Sequence, residues 1–263
     1  MEVAQDQLGT GKGNLFAGWY TYDVAPAGGE EKQRWYAVQG EADSGAARAS
    51  LSIYTGFGGN FDAPPKIPAS KVGQATMSFT DCGSGQLDYH FDDGRSGSVP
   101  LTRLGANVSC TPAGDNGAAG LNLLSGTWYD PATSGQGIVF DFVPSQNLLF
   151  AGWYTYAVNG SALDSKASQR WYTLQATLPA NLKASQPFPA PIYTGTGGVF
   201  DDPTKITGGQ VGSAMLSFAD CSHATLSYRL NVSYTISGFD TWMTVIGSVN
   251  LVRLSTAPAA CGL

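Results

Sequence analysis

Five blocks of sequence occur twice in this 263-residue chain, and the duplication restricts its fold to a tandem pair of similar domains. The block Leu15–Tyr22 recurs without a single change as Leu149–Tyr156. Four further blocks recur in the same order: Gln33–Tyr36 as Gln169–Tyr172, Ile53–Asp62 as Ile192–Asp201, Met77–Cys82 as Leu216–Cys221, and Val99–Leu104 as Val249–Leu254. The spacing between matched residues grows along the chain, so the insertions fall between the blocks, as loops vary on a fixed scaffold.

Short β-rich runs bounded by Gly, Pro, Asn or Asp fill both copies, without a long helical stripe of apolar residues. In the second copy they predict eight strands, at Thr127–Tyr129, Gly137–Val143, Leu148–Ala157, Gln169–Leu178, Ala190–Thr194, Gly212–Ala219, Ala224–Asn231 and Thr241–Arg253. The sequence therefore predicts an all-β fold of two tandem antiparallel up-and-down meander domains, each a barrel or a sandwich, related by the internal repeat. Their predicted bounds are 1–110 and 121–263, with 111–120 as the linker.

The two copies differ in one hairpin and at their beginnings. Asp92–Ser98 predicts a tight hairpin turn, which the second copy extends over Ser233–Ile246. The first copy has no counterpart of Gly126–Tyr129, because Met1 aligns near Phe140 to Val143. We expect that this copy lost its first strand or that the chain was cut inside a larger protein. An exposed strand edge would then need cover from the other copy or from a second chain, as a homo-oligomer or by strand completion.

The four cysteines fall into two matched pairs, because the repeat aligns Cys82 with Cys221 and Cys110 with Cys261. This symmetry predicts the disulfides Cys82–Cys110 and Cys221–Cys261, with free buried thiols as the alternative. Disulfides indicate an oxidising compartment, so we predict a secreted or periplasmic protein. The first residues show no signal peptide, so such a protein would have lost its leader.

Charge and hydropathy argue against two classes of partner. The net charge is −6 and no basic run occurs, so a nucleic-acid partner is not expected. No stretch approaches the roughly 20 apolar residues of a membrane-spanning helix. Catalytic motifs are also scarce, since the chain has no Gly-x-Ser-x-Gly elbow and neither of its two histidines is repeated. The sequence therefore leaves open whether the protein is an enzyme.

The beginning of the second copy carries two resemblances. Gly126–Tyr129, opening an eight-strand pattern, resembles the start of avidin-like and lipocalin-like barrels, in which a Gly-x-Trp on strand one closes the barrel floor. Trp128–Gly137 and Trp153–Tyr156 resemble the Trp-Tyr-Asp-Pro-x-x-Ser-Gly-Gln-Gly and Trp-Tyr-Thr-Tyr pattern of uncharacterised secreted bacterial tandem-repeat β proteins. The second resemblance implies export and implies no activity.

Alternation along the strands predicts a ligand platform of tyrosines and an arginine in each copy. If the tryptophans fill the cores, Tyr154, Tyr156, Tyr172 and Arg170 share the opposite face of the sheet. Tyr and Arg together offer flat contact area and hydrogen bonds, but the same face could instead pack against the sister repeat, with Arg paired to a carboxylate. The candidate ligand-binding residues are Tyr20, Tyr22, Arg34, Tyr36, Tyr54, Tyr154, Tyr156, Arg170, Tyr172 and Tyr193.

The repeated Ile-Tyr-Thr-Gly-x-Gly-Gly-x-Phe-Asp segment predicts a loop that either orients a ligand or holds a cation. Calcium suits carboxylate and carbonyl oxygens, and it is the only cofactor that the sequence suggests. The alternative is a β-bulge and tight turn whose Asp caps the loop. Asp81 and Asp220, before the cysteines, could pair with Arg34 and Arg170, or with Arg103 and Arg253. The candidate metal ligands are Asp62, Asp81, Asp201 and Asp220.

The leading functional hypothesis is a secreted binding protein for a neutral, hydroxyl-rich small molecule or glycan, above all carbohydrate. It is motivated by aromatic residues that are duplicated without a duplicated acid, base or nucleophile. The first alternative is a calcium-assisted hydrolase of esters, lactones or phosphodiesters. The second is a structural or protein-interaction module that uses a sheet edge or an aromatic patch.

Overall fold

The computed structural model describes residues 2–4, 11–43, 45–105, 121–163, 165–179, 182–183, 185–203, 205–236 and 239–257. Within these ranges the strands are β1 (Glu2–Ala4), β2 (Lys12–Tyr22), β3 (Gln33–Asp43), β4 (Arg48–Thr55), β5 (Ser70–Phe79), β6 (Ser84–Phe91), β7 (Ser96–Thr102), β8 (Gly126–Tyr129), β9 (Gly137–Val143), β10 (Leu148–Tyr156), β11 (Gln169–Thr177), β12 (Phe188–Thr196), β13 (Thr207–Phe218), β14 (His223–Ile236) and β15 (Phe239–Arg253). Short 3-10 turns lie at Glu30–Lys32, Leu121–Leu124, Pro131–Thr133, Pro144–Gln146, Gly160–Ala162 and Ser165–Ser168. The predicted all-β class is confirmed.

Strands β8–β15, here called repeat two, close into an antiparallel barrel in the order β10-β11-β12-β13-β14-β15-β8-β9. Every neighbouring pair except β15–β8 is consecutive in the chain, as the predicted meander requires. Strand β8 closes the barrel, because it pairs with β15 on one side and with β9 on the other. All eight predicted strands are present, and the hairpin of β14 and β15 is extended as expected.

Strands β1–β7, here called repeat one, form an open sheet in chain order. Strand β1 pairs with β2 only from Asn14 to Phe16, and Glu2 lies opposite Phe16 as Asp141 lies opposite Phe150. This register confirms the alignment of the first residues with the end of β9. Among the described residues, no strand pairs with the outer edge of β7.

The strand register corrects the predicted ligand face. Trp153 lies opposite Tyr172, and Tyr154 lies opposite Trp171. Because directly opposed residues share a face of the sheet, the prediction that Tyr172 and Arg170 share a face with Tyr154 is wrong. Tyr172 lies instead with Trp153 in the core of repeat two, and Trp171 lies with Tyr154 outside it. Repeat one has the same arrangement in β2 and β3.

Repeat two builds its core around Trp128, which is fully buried. Its ring lies 5.3 Å from that of Phe218 and 6.3 Å from that of Phe140, and its indole nitrogen donates to the Leu124 carbonyl at 3.1 Å. A buried aromatic side chain on the closing strand contributes strongly to barrel stability. Repeat one has a separate core.

Two predictions concern residues that are only partly described. Neither Cys82 nor Cys221 is a free thiol. Their predicted partners Cys110 and Cys261, and the predicted linker 111–120, lie outside the described residues, so the pairing stays a prediction. Among the described residues no helix is long and apolar enough to cross a membrane.

Candidate functional site

The two repeats exchange their Gly-rich loops across a pseudo-twofold interface. Phe61 belongs to repeat one but lies in the core of repeat two, 5.2 Å from Trp153 and 5.4 Å from Tyr228 between ring centroids. Phe200 belongs to repeat two but lies in the core of repeat one, 5.6 Å from Tyr89. Each repeat therefore completes the core of the other, as in an isologous dimer.

The aspartate after each exchanged phenylalanine accepts a hydrogen bond from a tyrosine of the other repeat. Tyr228 donates to Asp62 at 2.7 Å, and Tyr89 donates to Asp201 at 2.5 Å. Burial raises the pKa of Asp62, and the Tyr228 hydrogen bond offsets part of that rise. Burial and then the neighbouring Asp201 raise the pKa of Tyr89 to about 12. Both aspartates thus join the repeats.

Two glycines of these loops allow close contact between the repeats. A Cβ on Gly59 would overlap the ring of Tyr156, and a Cβ on Gly198 would overlap the ring of Tyr22. Only glycine permits such an approach of backbone to ring. The predicted β-bulge is present nearby in both repeats, where the pairing shifts after Ile53 and after Ile192.

Indole and amide groups complete the interface. Trp35 donates its ring N–H to the Thr155 carbonyl, and Trp171 donates to the Thr21 carbonyl, both at 2.9 Å. Tyr20 donates to the Gly152 carbonyl of repeat two at 2.8 Å. The face with Tyr20, Tyr22, Tyr154 and Tyr156 is therefore packed against the sister repeat, which is the alternative that the sequence left open.

Arg170 and Tyr172 are also enclosed. Arg170 is 8% exposed, donates to the Ala167 carbonyl at 2.8 Å and lies 3.6 Å from the carboxylate of Glu30 in repeat one. Burial lowers the pKa of Arg170 and raises the pKa of Glu30. Tyr172 is 2% exposed inside the barrel. This pairing with a carboxylate matches the packed alternative.

Tyr54 and Tyr193 occupy equivalent positions on the bulged strands. Both are half-buried, and each pairs with a residue on both neighbouring strands. They lie in different repeats, and the described contacts do not bring them together into one site.

Asp81 and Asp220 hold turns beside the cysteines. Asp81 accepts from the Gly83 N–H at 2.6 Å, and Asp220 accepts from the Ser222 N–H at 2.7 Å. Asp220 also contacts the His223 ring at 2.9 Å, and this hydrogen bond lowers the pKa of Asp220. Among the described residues neither aspartate forms the predicted ion pair with an arginine: Arg34 pairs with Asp23, Arg170 pairs with Glu30, and Arg253 donates to backbone carbonyls.

The four candidate metal ligands do not converge. Asp62 and Asp201 lie in separate interface loops, whereas Asp81 and Asp220 hold separate turns. Among the described residues, no group of three or more His, Cys, Asp or Glu is arranged to hold a metal ion.

Repeat one carries an open cleft of about 330 Å³, which is within the range of small-ligand sites. Lys166 of repeat two closes one side of it. The charged and aromatic lining residues are Asp23, Arg34, Tyr36, Phe57, Lys71, Phe91, Asp92, Asp93, Arg95 and Lys166. We call this site the repeat-one cleft.

Arg34 is held rigidly at the base of the cleft by protein oxygens. It donates to the backbone carbonyls of Gln33 at 2.6 Å and Lys166 at 2.9 Å, and it pairs with Asp23 at 2.5 Å. Burial disfavours the charged form of Asp23, but the Arg34 guanidinium outweighs this and lowers its pKa. The Nε of Arg34 is buried without a hydrogen-bond partner in the described part of the chain.

Arg95 forms the other wall through its position on two aromatic rings. Its guanidinium carbon lies 4.4 Å from the centroid of Phe91 and 4.8 Å from that of Phe200, which is cation–π geometry. It also pairs with Asp93 at 2.8 Å. Burial raises the pKa of Tyr36, and a hydrogen bond with Arg95 offsets part of that rise.

Repeat two reproduces Arg34 and Tyr36, as Arg170 and Tyr172, but it lacks the acidic groups and the Arg95 turn of the cleft. Asn231 and Val232 align with Asp92 and Asp93, and the turn that carries Arg95 is replaced by the extended hairpin. Side chains of that hairpin, among them Met243 and Val245, pack against the barrel core. The combination of Asp92, Asp93 and Arg95 in the lining is therefore specific to repeat one.

Two cleft residues, Arg34 and Tyr36, are among the residues predicted from the sequence, whereas Arg95, Phe91 and Lys166 are not. Arg95 lies in a turn that was interpreted only as a hairpin connection. The sequence feature that could have indicated Arg95 is that the charged residues of this turn have no charged counterparts in the second copy.

Comparison of the chain with protein-family models, with curated proteins and with solved structures gave no match. The geometry of the repeat-one cleft is therefore the basis for the proposed function.

Proposed function

We propose that the protein is a binding protein whose repeat-one cleft holds a small, neutral, hydroxyl-rich ligand such as a sugar. The observation that carries the proposal is the mixture of charges in an aromatic-lined cleft. Four cationic side chains and three carboxylates line it, so the site is nearly neutral. Hydroxyl groups both donate and accept hydrogen bonds, and this lining offers both kinds of partner.

Aromatic rings support the same ligand class. Tyr36, Phe57 and Phe91 line the cleft beside the charged groups. The C–H face of a sugar ring is apolar and packs on aromatic surface, while its hydroxyls reach the polar rim. An anionic ligand would meet the carboxylates of Asp92 and Asp93, which disfavours it.

The main polar groups of the cleft are held in place by other groups of the protein. Arg34 is bonded to Asp23 and to backbone carbonyls, and Arg95 is held by Asp93 and by two rings. A ligand that binds such preordered groups loses less side-chain entropy on binding. The arrangement therefore favours recognition by a rigid site.

Titration calorimetry with neutral sugars and polyols, and in parallel with acidic sugars, tests the proposal. Arg95→Gln is expected to weaken binding about tenfold or more, since a hydrogen bond to a charged group contributes about 1.5–3 kcal/mol. Tyr36→Phe is expected to weaken it by a smaller factor. The matched controls are Arg229→Gln and Tyr172→Phe in repeat two. Binding of acidic sugars only, or equal loss in the controls, would contradict the proposal.

The calcium-assisted hydrolase receives no comparable support. Its four candidate aspartates are engaged separately in interface and turn hydrogen bonds. A hydrolytic water would need several of these carboxylates on one cation.

A further inference from the structure

The beginning of repeat two, Gly126–Phe140, supplies both a strand and a clamp. Its strand β8 closes the barrel beside β15, with Trp128 opposite Arg253. The Arg253 guanidinium lies 5.6 Å from the Trp128 ring and donates to the Ser125 carbonyl at 2.5 Å. We call Gly126–Phe140 the head.

The clamp is made by the turn of the head and grips the exchanged loop of repeat one. Gln136 donates to the Asn60 carbonyl at 2.8 Å and accepts from the Asp62 N–H at 3.1 Å. It also accepts from the Thr155 hydroxyl at 2.5 Å. The Ser134–Gly137 turn thus contacts repeat one through the buried amide of Gln136.

The same turn covers an isoleucine of the loop. The Ile67 N–H donates to the Ser134 carbonyl at 2.9 Å, and Gly135 lies directly against Ile67. Gly135 has φ of +102°, so a side chain there would be strained as well as obstructed. The head therefore contributes to both repeats.

Repeat one presents matching partners that are less buried than their counterparts. Phe79 and Leu101 are half-buried, whereas their counterparts Phe218 and Leu251 are buried beneath the head of repeat two. Arg103 is exposed, although its counterpart Arg253 stacks on Trp128.

The partner loop for a second clamp is also present. Ile206 aligns with Ile67 but is 49% exposed. Asp201 and Thr21 align with the two groups that donate to Gln136, namely Asp62 and Thr155. On the β1 side, β2 has no described strand partner beyond Phe16. Its counterpart β10 is paired with β9 as far as Tyr154.

We propose that the seam of repeat one between β7 and the second half of β2, where no described strand pairs, is an acceptor groove for a head-type β-hairpin from another polypeptide. The occupant has the pattern Gly-x-Trp-Tyr-Asp-Pro-x-x-Ser-Gly-Gln-Gly. It adds a strand antiparallel to β7, places its Trp on Phe79 and Arg103, and places its Gln on Asp201 and Thr21. This is recognition by β-augmentation with a side-chain pocket, and it is independent of the repeat-one cleft.

Fluorescence anisotropy of a labelled peptide with the sequence of Leu124–Val139, titrated with the full chain, tests the proposal. We expect saturable one-to-one binding and at least tenfold weaker binding of the peptides that carry W128A or Q136A. In the protein, Arg103→Gln weakens binding, and Arg48→Gln, an exposed arginine on β4, is the matched control.

Hydrogen exchange locates the bound peptide. Protection of amides in Ser96–Thr102 and in Ala17–Tyr20 is the expected result. Absence of saturable binding, equal binding of W128A, or changes confined to β15, where the peptide would displace β8, each overturns the proposal. Loss of sugar binding would leave these results unchanged, so the two proposals fail separately.

Discussion

Replacing Phe61 by alanine is expected to destabilise repeat two although Phe61 belongs to repeat one. Its side chain is 7% exposed and contacts the rings of Trp153, Tyr172 and Tyr228. Deleting a buried Phe side chain costs about 3–5 kcal/mol, because contacts are lost and a cavity remains. A chain of this size loses roughly 2–4 °C in Tm per kcal/mol, so a fall of about 10 °C is expected.

Two measurements check this prediction: thermal unfolding of Phe61→Ala, and native-state hydrogen exchange resolved by strand. Exchange should accelerate in β10, β11 and β14, which surround the Phe61 ring. The control is Phe57→Thr, which introduces the residue that repeat two carries at the matched position and should change Tm little. A loss below about 1 kcal/mol, or acceleration confined to repeat one, would refute the exchange of cores.

Three further predictions concern the interface. Burial raises the pKa of Asp62 in the folded protein above the ordinary carboxyl value of 3.8. The contribution of Asp62 to stability is therefore greatest below pH 3.8 and is lost as the pH rises through the raised folded pKa. Asp62→Asn should flatten this fall in stability in a pH series of urea denaturations. Glu30→Gln leaves the guanidinium of Arg170 buried without a carboxylate, and urea denaturation should show a loss of roughly 3 kcal/mol; a change near zero would contradict a buried ion pair. Gly59→Ala places a Cβ in the ring of Tyr156 and should lower Tm. Gly209→Ala is the control and should leave Tm unchanged, because no atom lies within 4 Å of a Cβ at that position.

Local patterns predicted the strands well. All eight strands of the second copy occur at or near their predicted positions, because alternation and turn residues act over a few neighbours. The bulge after Ile192 and the extended hairpin from Ser233 also follow from local sequence.

The repeat-one cleft was predicted only in part, because its residues meet through non-local packing. Arg34 and Tyr36 were singled out from a repeated block, whereas Arg95 and Lys166 come from an unmatched turn and from the other repeat. Nothing in the sequence around Lys166 indicates that its carbonyl receives the Arg34 guanidinium.

By itself, the sequence determined the duplication, the all-β class and which residues alternate along each strand. Only the tertiary structure decided that Tyr172 faces the core beside Trp153, because the register between strands depends on pairing across the whole sheet. It also decided that Phe61 and Phe200 cross into the opposite cores. Alternation along a strand separates its two faces. Which of the two faces meets water is decided by packing against the sister repeat, and this packing joins segments that are far apart in the chain.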